Sequence, residues 1–126
     1  MDLYFNNITE TGTQFITQSV ASINNEHLKY VNLNFDFNYI KNDGGKAIGK
    51  LLPQLTSVES LHIGVASKNF GYLGYKYIIE GLKPLTQLKE LTLRCGINKV
   101  GYQGAEITRD LLLKLNKLEY LNIHFL

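Results

Sequence analysis

The chain has 126 residues, 44% hydrophobic and 19% charged, a composition that can bury the core of one soluble domain and argues against disorder. Its 13 basic and 11 acidic residues leave a net charge of +2, without the dense positive surface that phosphate groups require, so nucleic acid is not an expected partner. No apolar run approaches the roughly 18 residues of a membrane span, so no membrane partner is expected either.

The predicted strands recur at a fixed interval. Four six-residue segments with apolar first, fourth and sixth positions begin at residues 28, 58, 88 and 118, so successive starts differ by 30. Apolar and polar residues alternate in each segment, which predicts strands with one buried face. The same interval, taken back from the segment at residue 28, predicts an earlier strand that opens the chain on Met1, Leu3 and Phe5.

Between the strands, the apolar spacing changes to three and four residues, which is typical of one buried helix face. Gly44, Gly74 and Gly104 are interpreted as the turns from strand into helix, because glycine adopts tight turns without a steric penalty. Pro53 and Pro84 near the predicted helix ends indicate a short or irregular last turn. The apolar helix stripes are Ile48, Leu51, Leu52 and Leu55, then Ile78, Leu82 and Leu85, then Ile107, Leu111, Leu112 and Leu115.

Stacking of these units is required because a single strand and helix cannot shield each other's apolar faces from water. The sequence therefore predicts an α/β solenoid, a right-handed superhelix of four to five units of 30 residues, forming a single domain over residues 1–126. Parallel strands would line its concave side and helices its convex side. Two buried rows are expected across the sheet: Leu33, Ile63, Leu93 and Ile123, and Phe35, Val65, Cys95 and Phe125.

A second pattern runs through each strand and the segment that follows it. It reads Leu88-x-x-Leu91-x-Leu93 followed by Asn98-x-Val100-x-x-x-Gly104 in one unit. This pattern resembles the ribonuclease-inhibitor-like leucine-rich repeat, and the resemblance covers nearly the whole chain. Earlier units contain Asn38-Tyr39-Ile40 with Gly44, and Asn6-Asn7-Ile8 with Gly12.

The resemblance implies a leucine-rich-repeat solenoid in which the asparagine side chain bonds backbone groups at the bend after the strand. Asn38 and Asn98 follow their strands two residues later than in the usual repeat, which predicts longer strands or a wider bend. Lys68 occupies the asparagine position of another unit, so the backbone groups of that bend are expected to be less well satisfied.

The side chains interleaved with the buried rows are predicted to lie on the concave face. They are polar, small and mixed in charge, with tyrosines that offer contact area, so the chain is predicted to be a protein–protein interaction module without catalysis or cofactor. The plainer alternative is a solvated sheet face. The predicted partner-binding residues are Tyr30, Asn32, Asn34, Asp36, Ser60, His62, Glu90, Thr92, Arg94, Tyr120, Asn122 and His124.

Catalytic interpretations have weaker support in the sequence. His62 and His124 lack an adjacent carboxylate and metal-ligand spacing, and Cys95 lies in a predicted buried row. Because leucine-rich-repeat proteins include GTPase-activating proteins, a GTPase-activating or regulatory segment of a larger signalling protein is the alternative. The two arginines, Arg94 and Arg109, stand in no recognisable catalytic motif.

The single cysteine cannot form an internal disulfide, and the opening residues contain no secretory signal, so a cytoplasmic location is expected. The sequence starts within one predicted strand and stops within another, with no polar terminal unit. This arrangement predicts either a segment of a longer protein or end-to-end self-association through uncovered edges.

Overall fold

The computed structural model describes residues 1–23, 25–96 and 100–125, in which helices and strands alternate along the chain. A 3-10 turn over Leu52–Gln54 directly follows the second helix. The helices and strands are α1 (Glu10–Ala21), β1 (Tyr30–Asn34), α2 (Lys41–Leu51), β2 (Ser60–Gly64), α3 (Tyr72–Leu82), β3 (Glu90–Gly96), α4 (Gly101–Leu112) and β4 (Tyr120–Phe125).

The four strands form one parallel sheet in the order β1-β2-β3-β4. Val31 lies opposite Leu61, and Leu61 lies opposite Leu91, so paired residues are 30 positions apart. Because the connections are equal in length, each strand enters the sheet at the same level as its neighbour. The interval of 30 residues predicted from the sequence is therefore the separation between paired residues in the sheet.

The core lies between one face of the sheet and the helices. Leu33, Ile63 and Leu93 form a buried row across the strands, and Ile48 and Ile78 reach the same core from α2 and α3. Consecutive helices contact each other in chain order. Burial of each such side chain contributes about 1.5–3 kcal/mol, so several together stabilise each unit against chain entropy.

The predicted strand at the start of the chain is wrong as a regular strand. Leu3 N donates to Asn34 O at 2.8 Å and Phe5 N donates to Asp36 O at 3.1 Å, so the segment does lie beside β1. Within the described residues, this segment forms only an isolated parallel bridge at Asp2. The extended path is interrupted because Phe5 and Asn7 adopt left-handed φ values of 57° and 54°.

Helix α1 was not predicted, because its buried face is largely polar. Thr13 and Thr17 are buried beside Val20. Their hydroxyl groups donate to carbonyl groups one turn earlier, at Thr9 and Thr13, with distances of 3.0 and 2.9 Å. The threonines thus satisfy their own polar atoms while occupying positions where an apolar periodicity would otherwise be visible.

The glycines predicted to form turns into helices instead lie within the first turn of each helix. A methyl group placed on Gly44 would lie 2.7 Å from Cβ of Ile40, and one on Gly74 would lie 2.7 Å from the ring of Phe70. Glycine therefore leaves space for the buried side chain four residues earlier. The predicted irregular helix end is confirmed at Pro53, which lies in the 3-10 turn.

The second predicted buried row ends differently at β4. Phe35, Val65 and Cys95 are fully buried, whereas Phe125 is half-exposed. The register between β3 and β4 shifts after Arg94, so Phe125 lies opposite Gly96 and not Cys95. The prediction that Phe125 is buried is wrong; Leu121 on the same strand is exposed as well, because no further strand covers β4 in the described residues.

Charged residues just before the strands form a row across the units. Lys29 Nζ lies 3.1 Å from a Glu59 carboxylate oxygen, and Lys89 Nζ lies 2.6 Å from the other oxygen. The two lysines, Lys89 first, lower the pKa of Glu59. Glu119 continues the row and helps to raise the pKa of Lys89, after the larger effect of Glu59.

None of the helices in the described ranges is both long enough and apolar enough to cross a membrane.

Candidate functional site

The exposed face of the sheet carries most of the predicted partner-binding residues. The sheet register places 11 of the 12 in three rows, which together we call the open sheet face: Tyr30, Ser60, Glu90 and Tyr120; Asn32, His62, Thr92 and Asn122; Asn34, Arg94 and His124. All 11 are partly or fully exposed, because alternate residues of a strand point to opposite faces.

Two exposed tyrosines frame the first row. Tyr30 on β1 and Tyr120 on β4 lie at its ends, and both rings are more than half exposed. Between them, Ser60 Oγ donates to Glu90 Oε2 at 2.7 Å. The row therefore offers two amphipathic rings on either side of a small polar pair, a composition suited to protein contacts.

The second row contains a histidine whose pKa lies below its ordinary value. Burial lowers the pKa of His62, and the positive charge of Arg94 lowers it further, against smaller opposing effects of Asp36 and Asp2. Next to it, Asn32 Oδ1 is buried without a hydrogen-bond donor among the described residues.

The third row contains an ion pair in which the carboxylate is buried and the guanidinium is partly exposed. Arg94 Nη1 lies 3.1 Å from Asp36 Oδ2, with the arginine side chain 41% exposed and the aspartate 0%. Asp36 Oδ1 also accepts from Ala66 N at 2.8 Å. Gly64 lies between the two charged residues. A methyl group placed on it would lie 2.8 Å from Asp36 Oδ1.

The prediction that Asp36 lies on the open sheet face is wrong. Asp36 lies two residues beyond the end of β1, where its carboxylate is fully buried between Gly64 and the Arg94 side chain. Its carboxylate is buried and accepts a backbone N–H from the next unit. The contact between Arg94 and Asp36 Oδ2 is therefore one of charge, because this oxygen accepts no hydrogen bond of good geometry within the described residues.

The asparagine prediction is confirmed at Asn38. Its Oδ1 accepts from the backbone N–H groups of Asn6 and Ile8 at 2.9 and 2.8 Å. Its Nδ2 donates to the carbonyl groups of Leu3 and Phe35 at 2.7 and 3.1 Å. The side chain thus joins the bend after β1 to the opening segment of the chain.

The other two asparagine-position predictions have different outcomes. Asn98 lies outside the described residues. At the Lys68 bend, Asp36 accepts from Ala66 N and the hydroxyl of Ser67 donates to Asn38 O. Side chains of two units therefore satisfy several groups near this bend without an asparagine.

Two further residues that were weighed as catalytic candidates, Cys95 and Arg109, lie outside the open sheet face. Cys95 is fully buried, and burial raises the pKa of its thiol, which therefore stays protonated. Arg109 pairs with Asp110 at 2.8 Å on the exposed side of α4. Within residues 1–23, 25–96 and 100–125, no three His, Cys, Asp or Glu side chains lie together as metal ligands.

An exposed aromatic group beyond the carboxyl end of β1 was not predicted. Tyr4, Phe5, Phe37 and Tyr39 are all exposed. The Tyr4 and Phe37 rings meet edge to face with their centroids 5.2 Å apart. The sequence contains one signal that would have found the group, because Phe-Asn-x-Ile occurs at both Phe5 and Phe37.

Comparison of the chain with family models, with curated proteins and with solved structures yields no match. The resemblance to ribonuclease-inhibitor-like repeats is therefore one of residue pattern alone.

Proposed function

We propose that the chain is a leucine-rich-repeat solenoid of the ribonuclease-inhibitor-like kind and that its open sheet face binds another protein. The constant register between strands, the one-sided core and the hydrogen bonds of Asn38 support the repeat assignment. An intracellular location is part of the proposal, and the single buried Cys95 favours it.

The ion pair of Arg94 and Asp36 is the observation that carries the binding proposal. An arginine whose charge is anchored by a buried carboxylate loses little conformational freedom when it binds, and arginine and tyrosine dominate binding energy at protein interfaces. Arg94 lies in the row next to His62, on the face that Tyr30 and Tyr120 frame. Its exposed part is suited to a carboxylate of the partner.

The size of the open sheet face limits what it can bind alone. Four strands about 4.8 Å apart, with about five residues each, give a footprint of roughly 300 Å². A standard specific interface uses about 800 Å² on each partner. The proposed complex therefore includes contacts beyond the sheet, from the loops at the strand ends or from the helices.

A matched set of tyrosine variants tests the proposal. Immobilised wild-type chain is compared with Tyr30→Ala, Tyr120→Ala and the control Tyr102→Ala, whose side chain is exposed on α4. We expect proteins captured from a lysate of the source cell to be lost with the two sheet variants and retained with the control. Equal capture by all four chains, or loss only with the control, contradicts binding through this face.

End-to-end self-association is a second part of the proposal. Leu121 on β4 is 41% exposed, whereas Leu91 at the same level of β3 is 0% exposed. The far edge of β4 has no strand beside it in the described residues, so its backbone is free to pair with another strand. We expect sedimentation to show concentration-dependent association that Leu121→Lys abolishes; a wild-type chain that stays monomeric at all concentrations contradicts it.

A further inference from the structure

A pocket of about 230 Å³ lies beyond the carboxyl end of β1, outside the open sheet face. Its walls come from the opening segment of the chain, the loop after β1 and the loop after β2, and Asn38 joins the first two of these. The volume is below the roughly 300–1,000 Å³ of ordinary small-molecule sites, so it is suited to one large side chain. The lining includes Phe5, Phe37, Tyr39, Ala66, Ser67 and Lys68.

The aromatic side chains of this pocket are held toward solvent by an unfavourable backbone. Phe5 and Phe37 both have φ values of 57°, a region that residues with bulky side chains rarely adopt. Phe5 is 74% exposed, and Phe37 and Tyr39 are half-exposed. Exposed aromatic side chains that lie together in this way are suited to contact with a partner.

The polar groups in the pocket restrict the chemistry of its occupant. The side chain of Asn38 is fully engaged with backbone groups, and the Ser67 hydroxyl donates to Asn38 O. Lys68 is exposed and forms no ion pair within the described part of the chain, and the Tyr39 hydroxyl has no internal partner there. The pocket therefore combines apolar walls with two hydrogen-bond donors, one of them positively charged.

We propose that this pocket docks a short acidic, apolar peptide segment of another protein. A leucine- or phenylalanine-sized side chain of the peptide packs between Phe5 and Phe37, and an adjacent carboxylate accepts from Lys68 and Tyr39. The match of one cation and one hydroxyl donor to a carboxylate supports this occupant over a neutral or basic one. The pocket is separate from the open sheet face and supplies contact area that the sheet lacks.

Three short peptides test the proposed chemistry on the isotope-labelled full chain. The first is N-acetyl-Gly-Leu-Phe-Glu-Glu-Gly-amide, the second has lysine for both glutamates, and the third has serine for leucine and phenylalanine. We expect only the first to bind with a dissociation constant below about 1 mM, with shifted amide signals at Phe5, Phe37 and Lys68. Equal binding of the lysine peptide, or no binding of the first peptide, overturns the proposal.

Variants of the chain separate the pocket from the rest of the molecule. Lys68→Glu is expected to weaken the acidic peptide by about tenfold, while Lys68→Arg keeps the affinity within about threefold. Phe37→Gly is expected to remove binding while the remaining amide spectrum is preserved, which shows that the fold is intact. Unchanged affinity of the folded Lys68→Glu or Phe37→Gly chain overturns the assignment of the pocket.

The same experiment keeps this inference distinct from the proposed function. Tyr30→Ala alters the open sheet face and leaves the pocket untouched, so its affinity for the acidic peptide should equal that of wild type. Loss of peptide binding in Tyr30→Ala, or amide shifts confined to His62 and Arg94, would assign the peptide to the sheet and overturn the pocket. Failure of lysate capture by the open sheet face does not affect the peptide result.

Discussion

Arg94 on β3 and Asp36 beyond β1 are joined by an ion pair of 3.1 Å, although β2 lies between them in the sheet. Gly64 is the β2 residue at this level. The pair therefore connects units that are not adjacent in the sequence, and removal of the arginine leaves a buried carboxylate without its counter-charge.

We expect Arg94→Leu to lower the free energy of unfolding by about 2 kcal/mol, less than for a fully buried pair because the arginine is partly exposed. Asp36→Asn should lower it by about 1 kcal/mol, since the amide oxygen can still accept from Ala66 N. The double variant should lose less than the sum. Urea unfolding of all four chains measures the coupling, and strict additivity would show that the pair contributes nothing.

Asn38 satisfies backbone groups of two loops at once. We expect Asn38→Ala to lower the free energy of unfolding by about 3 kcal/mol, because Ile8 N and Leu3 O lose their partner in a partly buried region. Asn6→Ala is the matched control, since within the described residues the Asn6 side chain makes a single, exposed hydrogen bond, to Tyr4 O. Thermal unfolding compares them, and similar losses in both variants would refute the special role of Asn38.

Close packing of α2 against α3 predicts a large effect from a single methyl group. A Cβ atom on Gly45 would lie 2.7 Å from Cα of Gly74 and 2.8 Å from the ring of Phe70. We expect Gly45→Ala to cost about 2 kcal/mol of stability by forcing the helices apart. Gly71→Ala serves as control, because its nearest neighbour would be Asn42 Oδ1 at 3.5 Å. Unfolding midpoints in urea that rank the two variants equally would contradict this packing.

The left-handed backbone at Phe37 predicts an unusual order of stability. We expect Phe37→Gly to be about 1 kcal/mol more stable than Phe37→Ala, because glycine adopts a φ of 57° without the penalty that a Cβ atom brings. Both variants remove the ring, so its contact with Tyr4 is lost equally. Calorimetry of the two chains gives the comparison. A more stable alanine variant would show that the loop does not hold this conformation in solution.

The lowered pKa of His62 predicts that the stability of the fold depends on pH in a range above the one in which carboxylates titrate. Burial, with help from Arg94, lowers the pKa of His62 in the folded chain below its ordinary value of 6.5. The unfolded chain therefore binds the proton first, and stability falls as pH decreases through about 6.5 until the folded-state pKa is passed.

We expect His62→Gln to lose less stability than wild type between about pH 7.5 and pH 5. Arg94→Gln should raise the pKa of His62, since it removes a positive charge and leaves Asp36 uncompensated. Proton-resolved titration of the imidazole measures this shift. A pKa that is unchanged or lower in Arg94→Gln would show that the guanidinium does not act on His62.

The parallel register was predictable because equal unit lengths bring strand residues 30 apart to the same level. Other features depended on information that the residue types do not carry. Helix α1 was missed because Thr13 and Thr17 are buried with their hydroxyl groups bonded to the helix backbone. Sequence hydropathy treats such residues as exposed, so the helical period was hidden.

The candidate site was predictable only where a strand determined side-chain direction. Eleven of the 12 residues are exposed as strand alternation predicts, whereas Asp36 is buried through its contacts with Arg94 and the backbone of Ala66. Strand alternation does not predict the aromatic pocket, because the pocket depends on left-handed φ values at Phe5 and Phe37. Phenylalanine disfavours that conformation, so no propensity argument places it there.

The charged residues before the strands alternate in sign along the molecule, from Lys29 to Glu59, Lys89 and Glu119. Duplication of one unit would bring two like charges side by side, whereas duplication of two consecutive units would preserve every attraction. Because each exposed contact contributes only about 0–1 kcal/mol, the alternation favours a change in length by two units weakly and does not forbid a change by one.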